Sequence, residues 1–208
     1  MSRGLLKTPR VVPFCITFQE GERTQLEEHE RFYVLTGGPG SGKTAIIEAL
    51  HRAGYARTVE AGRGIIQDQM AIGGRALPWQ DPALFAELML SWEMRSYHIA
   101  EQSAAPVFFD RGVVDVVGYL RLTGRPLPPH VEQAAARFRY NRRVFIAPPW
   151  KEMFAQDRER KQDFDEAVRT HEAMQAVYTE RGYELTELPR VSVEERMCFV
   201  LQSIGIER

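Results

Sequence analysis

The sequence predicts an α/β fold, a three-layer αβα sandwich around a mostly parallel sheet of about five strands with a small helical lid. Two observations carry that prediction. Apolar, strand-like runs alternate with helical patterns along most of the chain, the order that builds parallel sheets covered on both faces. Two of the runs, Val107-Phe108-Phe109 and Val144-Phe145-Ile146-Ala147, are continuously apolar, as strands buried on both sides require. The right-handed crossover then gathers every strand's C-terminal end on one rim.

The elements follow in order. Residues 1–30 read as an N-terminal extension: 11–18 suits one short strand broken by Pro13, and 21–31 is charged and polar, with Glu20, Glu22, Glu27, Glu28 and Glu30 close together. Such an arm suits capping the sheet edge or packing between two copies of the chain in a homodimer, and composition does not choose between them. The main domain is expected over 31–208. Its first strand is 32–36 and its first helix 43–52, stopped by Gly54. A short strand at 57–60 ends in an acid, a glycine turn and an arginine, and a helix follows at 65–71. Asp81-Pro82 opens a long helix, with proline in the first turn where its missing N–H costs nothing. Leu84, Phe85, Leu88, Trp92 and Ile99 fall at helical spacing there and are expected in the core. After the strand ending at Asp110 come helices at 115–123 and 129–138, then the strand 143–147. A charged stretch marks a lid at about 150–165. A helix at 163–181, a strand at 183–188 and a last helix opened by a Ser192/Glu195 capping box complete the chain.

The most specific stretch is Gly37-Gly38-Pro39-Gly40-Ser41-Gly42-Lys43-Thr44, between the strand Phe32-Tyr33-Val34-Leu35 and the helix Ala45-Ile46-Ile47-Glu48-Ala49-Leu50. Strand, glycine-rich turn and helix with Lys-Thr at the junction is the phosphate-binding P-loop pattern. Glycines let the backbone curl its N–H groups around one anion, and the helix start adds its partial positive charge. Gly38, Pro39, Gly40, Ser41, Gly42, Lys43 and Thr44 are therefore expected to hold a nucleotide. Lys43 reaches the β- and γ-phosphates, and the Thr44 hydroxyl ligates Mg²⁺.

The other candidates end neighbouring strands. Asp110 closes VFFD, where nucleotide-bound Mg²⁺ needs a carboxylate. Arg111 follows it, where a hydrolysing motor would carry a second acid. An arginine there suits an anionic substrate or the transferred phosphoryl, as in Asp-Arg motifs of nucleoside and nucleotide kinases; the competing reading is a salt bridge to Asp115 or another acid. Glu60 and Arg63 suit a phosphoryl acceptor: a carboxylate to orient or deprotonate a hydroxyl, and a guanidinium to grip phosphate or carboxylate. Their competing reading is a mutual salt bridge. Arg158 and Arg160 are lid candidates that would close over the phosphates, though the acids between them also suit an exposed helix. Trp79 and Trp150 fall in rim loops, suited to stacking or to core packing. Tyr140, Asn141, Arg142 and Arg143 are expected at the opposite end, as anchors.

Taken together, Phe32 to Thr44, Glu60-Ala61-Gly62-Arg63, Phe108-Phe109-Asp110-Arg111-Gly112, Tyr140 to Trp150 and Asp157 to Gln162 resemble the P-loop family of predicted ATPases that includes the kinase domain of NadR. The resemblance spans roughly 31–205. It implies a nucleoside-kinase-like fold, ATP or GTP with Mg²⁺, and phosphoryl transfer. By position it implies phosphate and Mg²⁺ binding by Gly37 to Thr44, a magnesium acid at Asp110, and lid action by Arg158 or Arg160. It does not fix the acceptor.

Composition limits the alternatives. At 208 residues, 44% hydrophobic, the chain fits one domain with a full core. A formal net charge of -1 gives no global field for nucleic acid or membrane. Two distant cysteines, Cys15 and Cys198, make neither a disulfide framework nor a zinc site and suit a reducing cytoplasm. No apolar run is long enough to span a bilayer. Two function classes stay in view. One is a Mg²⁺-dependent kinase acting on a small nucleoside-, nucleotide- or sugar-like acceptor. The other is a nucleotide-hydrolysing switch without one. A ring-forming motor would need a helical subdomain the length does not hold.

Overall fold

The sheet is built outward from the strand that leads into the glycine-rich loop. In the computed structural model, which describes residues 29–154 and 163–206, β1 (Phe32–Gly37) lies at the centre. It pairs with β3 (Val107–Asp110) on one side and β4 (Arg143–Ala147) on the other. Outside these lie β2 (Ala56–Arg57) and β5 (Glu184–Glu187), giving five strands in the order β2-β3-β1-β4-β5. Every pairing is parallel.

Alternation along the central strands explains why they are apolar throughout. Phe32, Val34, Val107, Phe109, Val144 and Ile146 face one layer, packed with α3 (Pro82–Ala100), α4 (Val113–Leu122), α5 (Pro129–Arg137) and α7 (Phe164–Glu180). Leu35, Phe108, Phe145 and Ala147 face the other, covered by α1 (Lys43–Arg52) and α8 (Val193–Ser203). Neither face meets water, so neither needs polar side chains. The expected three-layer αβα architecture is what the chain forms. Ser192 caps α8 by accepting from the Glu195 amide at 3.2 Å, and the Glu195 carboxylate accepts from the Ser192 amide at 3.0 Å. Asp81 caps α3 in the expected way, accepting from the Leu84 amide.

At the foot of the sheet, Asn141 Nδ2 donates to the Glu30 carbonyl and Arg142 pairs with Glu184. Tyr140 is fully buried. These residues anchor strand starts, as expected. Among the described residues, no helix is long and apolar enough to cross a membrane.

Two expectations need correction. α2 spans Ala61–Ile72, not 65–71. The glycines that suggest a turn lie inside the helix, and Gly64 serves close helix packing: a Cβ there would lie 2.9 Å from the Trp92 ring of α3. β2 is correspondingly only two residues long. The expected core stripe of α3 is also rotated. Leu84 and Ile99 are 39% and 56% exposed, whereas Phe85, Ala86, Leu90, Glu93, Tyr97 and Ala100 are buried. Leu88 and Trp92 are half-buried, against the small cluster of Ala61, Ile65 and Phe85. A buried acid in that stripe is what disguised its true face. The expected strand at 11–18 and both lid arginines, Arg158 and Arg160, lie outside the described residues.

Candidate functional site

The site assembles where β1, β3 and the start of α2 meet. Gly40 and Gly42 adopt left-handed backbone, φ 74° and 78°, which lets the loop curl back on itself before α1. Lys43 closes the curl. Its side chain is buried, and Nζ donates to the Gly37 carbonyl (3.0 Å), the Gly38 carbonyl (2.7 Å) and Ser41 Oγ (3.1 Å). Burial first, then the neighbouring Arg111 guanidinium, bring the Lys43 ammonium down to about 7. An ammonium satisfied only by neutral oxygens is poised for an anion.

Strand alternation aims Asp110. It lies two residues after Phe108, on the α1 side of the sheet, and Thr44 Oγ1 donates to its Oδ2 at 3.1 Å. Thr58 Oγ1 accepts from the Asp110 amide at 3.1 Å. Asp110 Oδ1 is buried without a partner, and burial, then the nearby Glu60, raises the Asp110 carboxyl. An orphaned carboxylate oxygen beside a threonine hydroxyl fits a hard cation that takes its other ligands from water and phosphate, as Mg²⁺ does. Among the described residues, no cluster of three or more histidine, cysteine or acidic side chains suits a self-sufficient metal site.

Arg111 resolves into a bridge. Its backbone is left-handed, φ 73°, uncommon for a residue with a side chain. Its Nε donates to Glu60 Oε1 at 3.1 Å, and a terminal nitrogen donates to Asp115 Oδ1 at 3.2 Å. Both predicted candidates, Glu60 and Arg111, therefore come together, and the competing pairing of Arg111 with Asp115 occurs alongside. Glu60 is the N-cap of α2. Burial works to raise its carboxyl, but Arg111 and Lys43 outweigh burial and hold it below its usual range. Arg63, by contrast, is exposed in the first turn of α2. Glu60 takes Arg111, not Arg63, as its ion partner. Between α1 and α2 a cleft of about 130 Å³ opens, lined by Thr44, Thr58, Glu60, Arg63, Gln67 and Asp110 among others.

Sequence reasoning missed the support beneath this cluster. Asp115 also accepts from Thr36 Oγ1 (2.5 Å), Tyr178 Oη (2.7 Å) and the Gly112 amide (3.0 Å). Only its spacing from Arg111 hinted at this. Glu93, from α3, is 2% exposed with Oε2 unpartnered. Burial, then Asp115 and Asp110, push its carboxyl well above the usual range. No local pattern marks it. Of the tryptophans, Trp79 is largely exposed, and Trp150 lies 5.5 Å beneath the Arg196 guanidinium.

Family and structure comparisons agree with the fold. Residues 32–196 match the AAA domain family, and the chain belongs to that family. Family match and the strand–glycine loop–helix geometry define it as an AAA-type P-loop domain. No curated protein matches it in sequence. Among solved structures, deoxyadenosine kinase from M. mycoides, with dCMP and dCDP bound, is similar at TM-score 0.60 and 11% identity, over 84% of this chain and 98% of that one. NadR in complex with NR is similar at TM-score 0.62 and 19% identity, over 86% of this chain and 52% of that one. Thymidylate kinase from Ehrlichia chaffeensis follows at 0.57 and 12%, over 85% and 99%. This chain thus corresponds to about half of NadR. At such identities the likeness is one of fold.

Proposed function

We propose that the chain is a kinase that moves the γ-phosphoryl of ATP, or GTP, to a hydroxyl or phosphate of a nucleoside-, nucleotide- or sugar-like acceptor. The observation that carries this reading is Glu60, held as a carboxylate by Arg111 on the same rim as Lys43 and Asp110. A carboxylate beside the phosphate loop, but paired to an arginine, suits an acceptor better than hydrolytic water. The similar nucleoside and thymidylate kinases, and the NR complex of NadR, favour a nucleoside-like acceptor.

Gly38 to Thr44 grip the triphosphate. Thr44 and Asp110 would hold Mg²⁺, which supplies charge neutralisation on the phosphates. Glu60 orients the acceptor hydroxyl. The acceptor oxygen bonds to the γ-phosphorus as the bond to the β–γ bridging oxygen breaks, ADP leaves, and Glu60 takes the hydroxyl proton. In a loose transition state that proton moves late, so orientation matters more than basicity, and a Glu60 held below its usual range is adequate. Arg111 fixes Glu60 and faces the transferred phosphoryl. Arg63, exposed at the cleft mouth, is placed for an acceptor's anionic group. Arg158 and Arg160 are proposed to act from the lid segment. The domain reading (extension over 1–30, kinase-like domain from 31, lid about 150–165) and a cytoplasmic location belong to the same proposal.

The test is acceptor-stimulated ADP release across nucleosides, nucleotides and sugars, with Glu60→Gln beside the wild type. One stimulating class, with transfer lowered about 10²- to 10⁴-fold in Glu60→Gln while ATP affinity holds, is the expected result. Basal hydrolysis that no acceptor stimulates would favour the hydrolysing switch.

A further inference from the structure

Arg196 is the largest fully buried side chain among the described residues, 1% exposed on α8. Among the described residues its side chain makes one hydrogen bond, to the Ser41 carbonyl at 3.1 Å. Nε and one terminal nitrogen have no partner, and among the described residues no carboxylate pairs with it. The contrast with Arg111 is direct, since that buried arginine holds two carboxylates. Nor is the position a slack corner. A Cβ on Gly42 would lie 3.0 Å from each terminal nitrogen of Arg196, so the guanidinium is pressed against the back of the phosphate loop. The Trp150 ring, 5.5 Å away, offers only the partial compensation of an aromatic face.

A guanidinium stays charged in proteins, even though burial lowers its pKa here. Taking an unpaired charge out of water is among the costliest arrangements a fold can hold. Its carrier is α8, which packs against α1, so the charge stands behind the helix start where the loop's own N–H groups already favour anions.

We propose that Arg196 is a positioning residue for the nucleotide's polyphosphate: it sets the loop through Ser41 and supplies a fixed positive charge whose counter-ion is the bound phosphate chain. This rests on the phosphate-binding reading of the loop and adds to it. The fold bears an uncompensated charge when empty, and binding compensates it.

The test compares wild type, Arg196→Met and Arg196→Lys, measuring affinity for inorganic tripolyphosphate and for Mg-ATP by calorimetry, with the ligand-free thermal midpoint in the same buffer. Arg196→Met should bind both probes about tenfold or more weaker, with a ligand-free midpoint equal to or above wild type. Arg196→Lys should recover most of the affinity. A merely structural arginine would behave the other way. Unchanged affinity in Arg196→Met overturns the proposal, as does a lowered ligand-free midpoint or failure to fold. A wild type that binds neither probe overturns the phosphate-loop reading itself, a result distinguishable from the first.

Discussion

Glu93 shows most clearly how one residue's setting decides its state. Its carboxyl is buried, without a partner for Oε2, in the field of Asp115 and Asp110. Burial and those charges favour the neutral acid, so its folded-state pKa lies above its unfolded value. The stabilisation from keeping it neutral is whole below the unfolded pKa and is lost as pH rises through the folded one. Glu93→Gln removes that dependence. Its stability advantage over wild type should grow as pH rises above the usual carboxylate range. Denaturant midpoints at a series of pH values check this. Curves that stay parallel would mean that Glu93 is not held neutral. Asp115 differs from it by accepting from four donors.

Among the elements, α2 is the one on which acceptor chemistry depends. It begins at Glu60, its N-cap, and seats against α3 through Gly64 on Trp92 and through Ile65 and Phe85. Any side chain at Gly64 must push the helices apart, and Glu60 moves with α2. Gly64→Val should therefore cost about 1–3 kcal/mol of stability. It should also slow acceptor-dependent turnover more than it weakens ATP binding, because the loop Gly38–Thr44 joins β1 to α1 and not to α2. A KM-against-Kd comparison separates the two. Equal losses in both would place the strain elsewhere. α4 plays a matching part for Arg111, since Asp115 in its first turn holds the guanidinium while Thr36 and Tyr178 hold Asp115.

For the molecule as a whole, the two apolar layers fix the sheet and leave the rim free to carry unsatisfied polar groups. Asp110 with an orphan oxygen and Glu93 with an unpartnered Oε2 cluster there, beside a Lys43 ammonium that meets only neutral oxygens. Such a rim should be stabilised by its ligand. Mg-ATP at about a hundred times its Kd adds roughly 2.7 kcal/mol, a rise of about 5–10 °C in a domain of this size. Lys43→Ala should abolish most of that rise while changing the ligand-free midpoint little. Thermal denaturation with and without nucleotide measures it. A full shift retained in Lys43→Ala would contradict the phosphate-loop assignment.

Local pattern determined a great deal of this protein. Continuous apolar runs told of strands covered on both faces, and the turn between 36 and 43 told of the phosphate loop, because backbone conformation and burial leave marks on neighbouring residues. Asp110 was legible for the same reason, closing an apolar strand. Tertiary structure alone decided the rest. That Glu60 belongs to Arg111 and not Arg63, that glycines 62 and 64 lie inside a helix, that α3 buries an acid, and that Arg196 stands behind Gly42 all depend on which helix packs against which. Those contacts join positions tens to more than a hundred residues apart, and packing partners at that separation leave no periodic trace in a single chain.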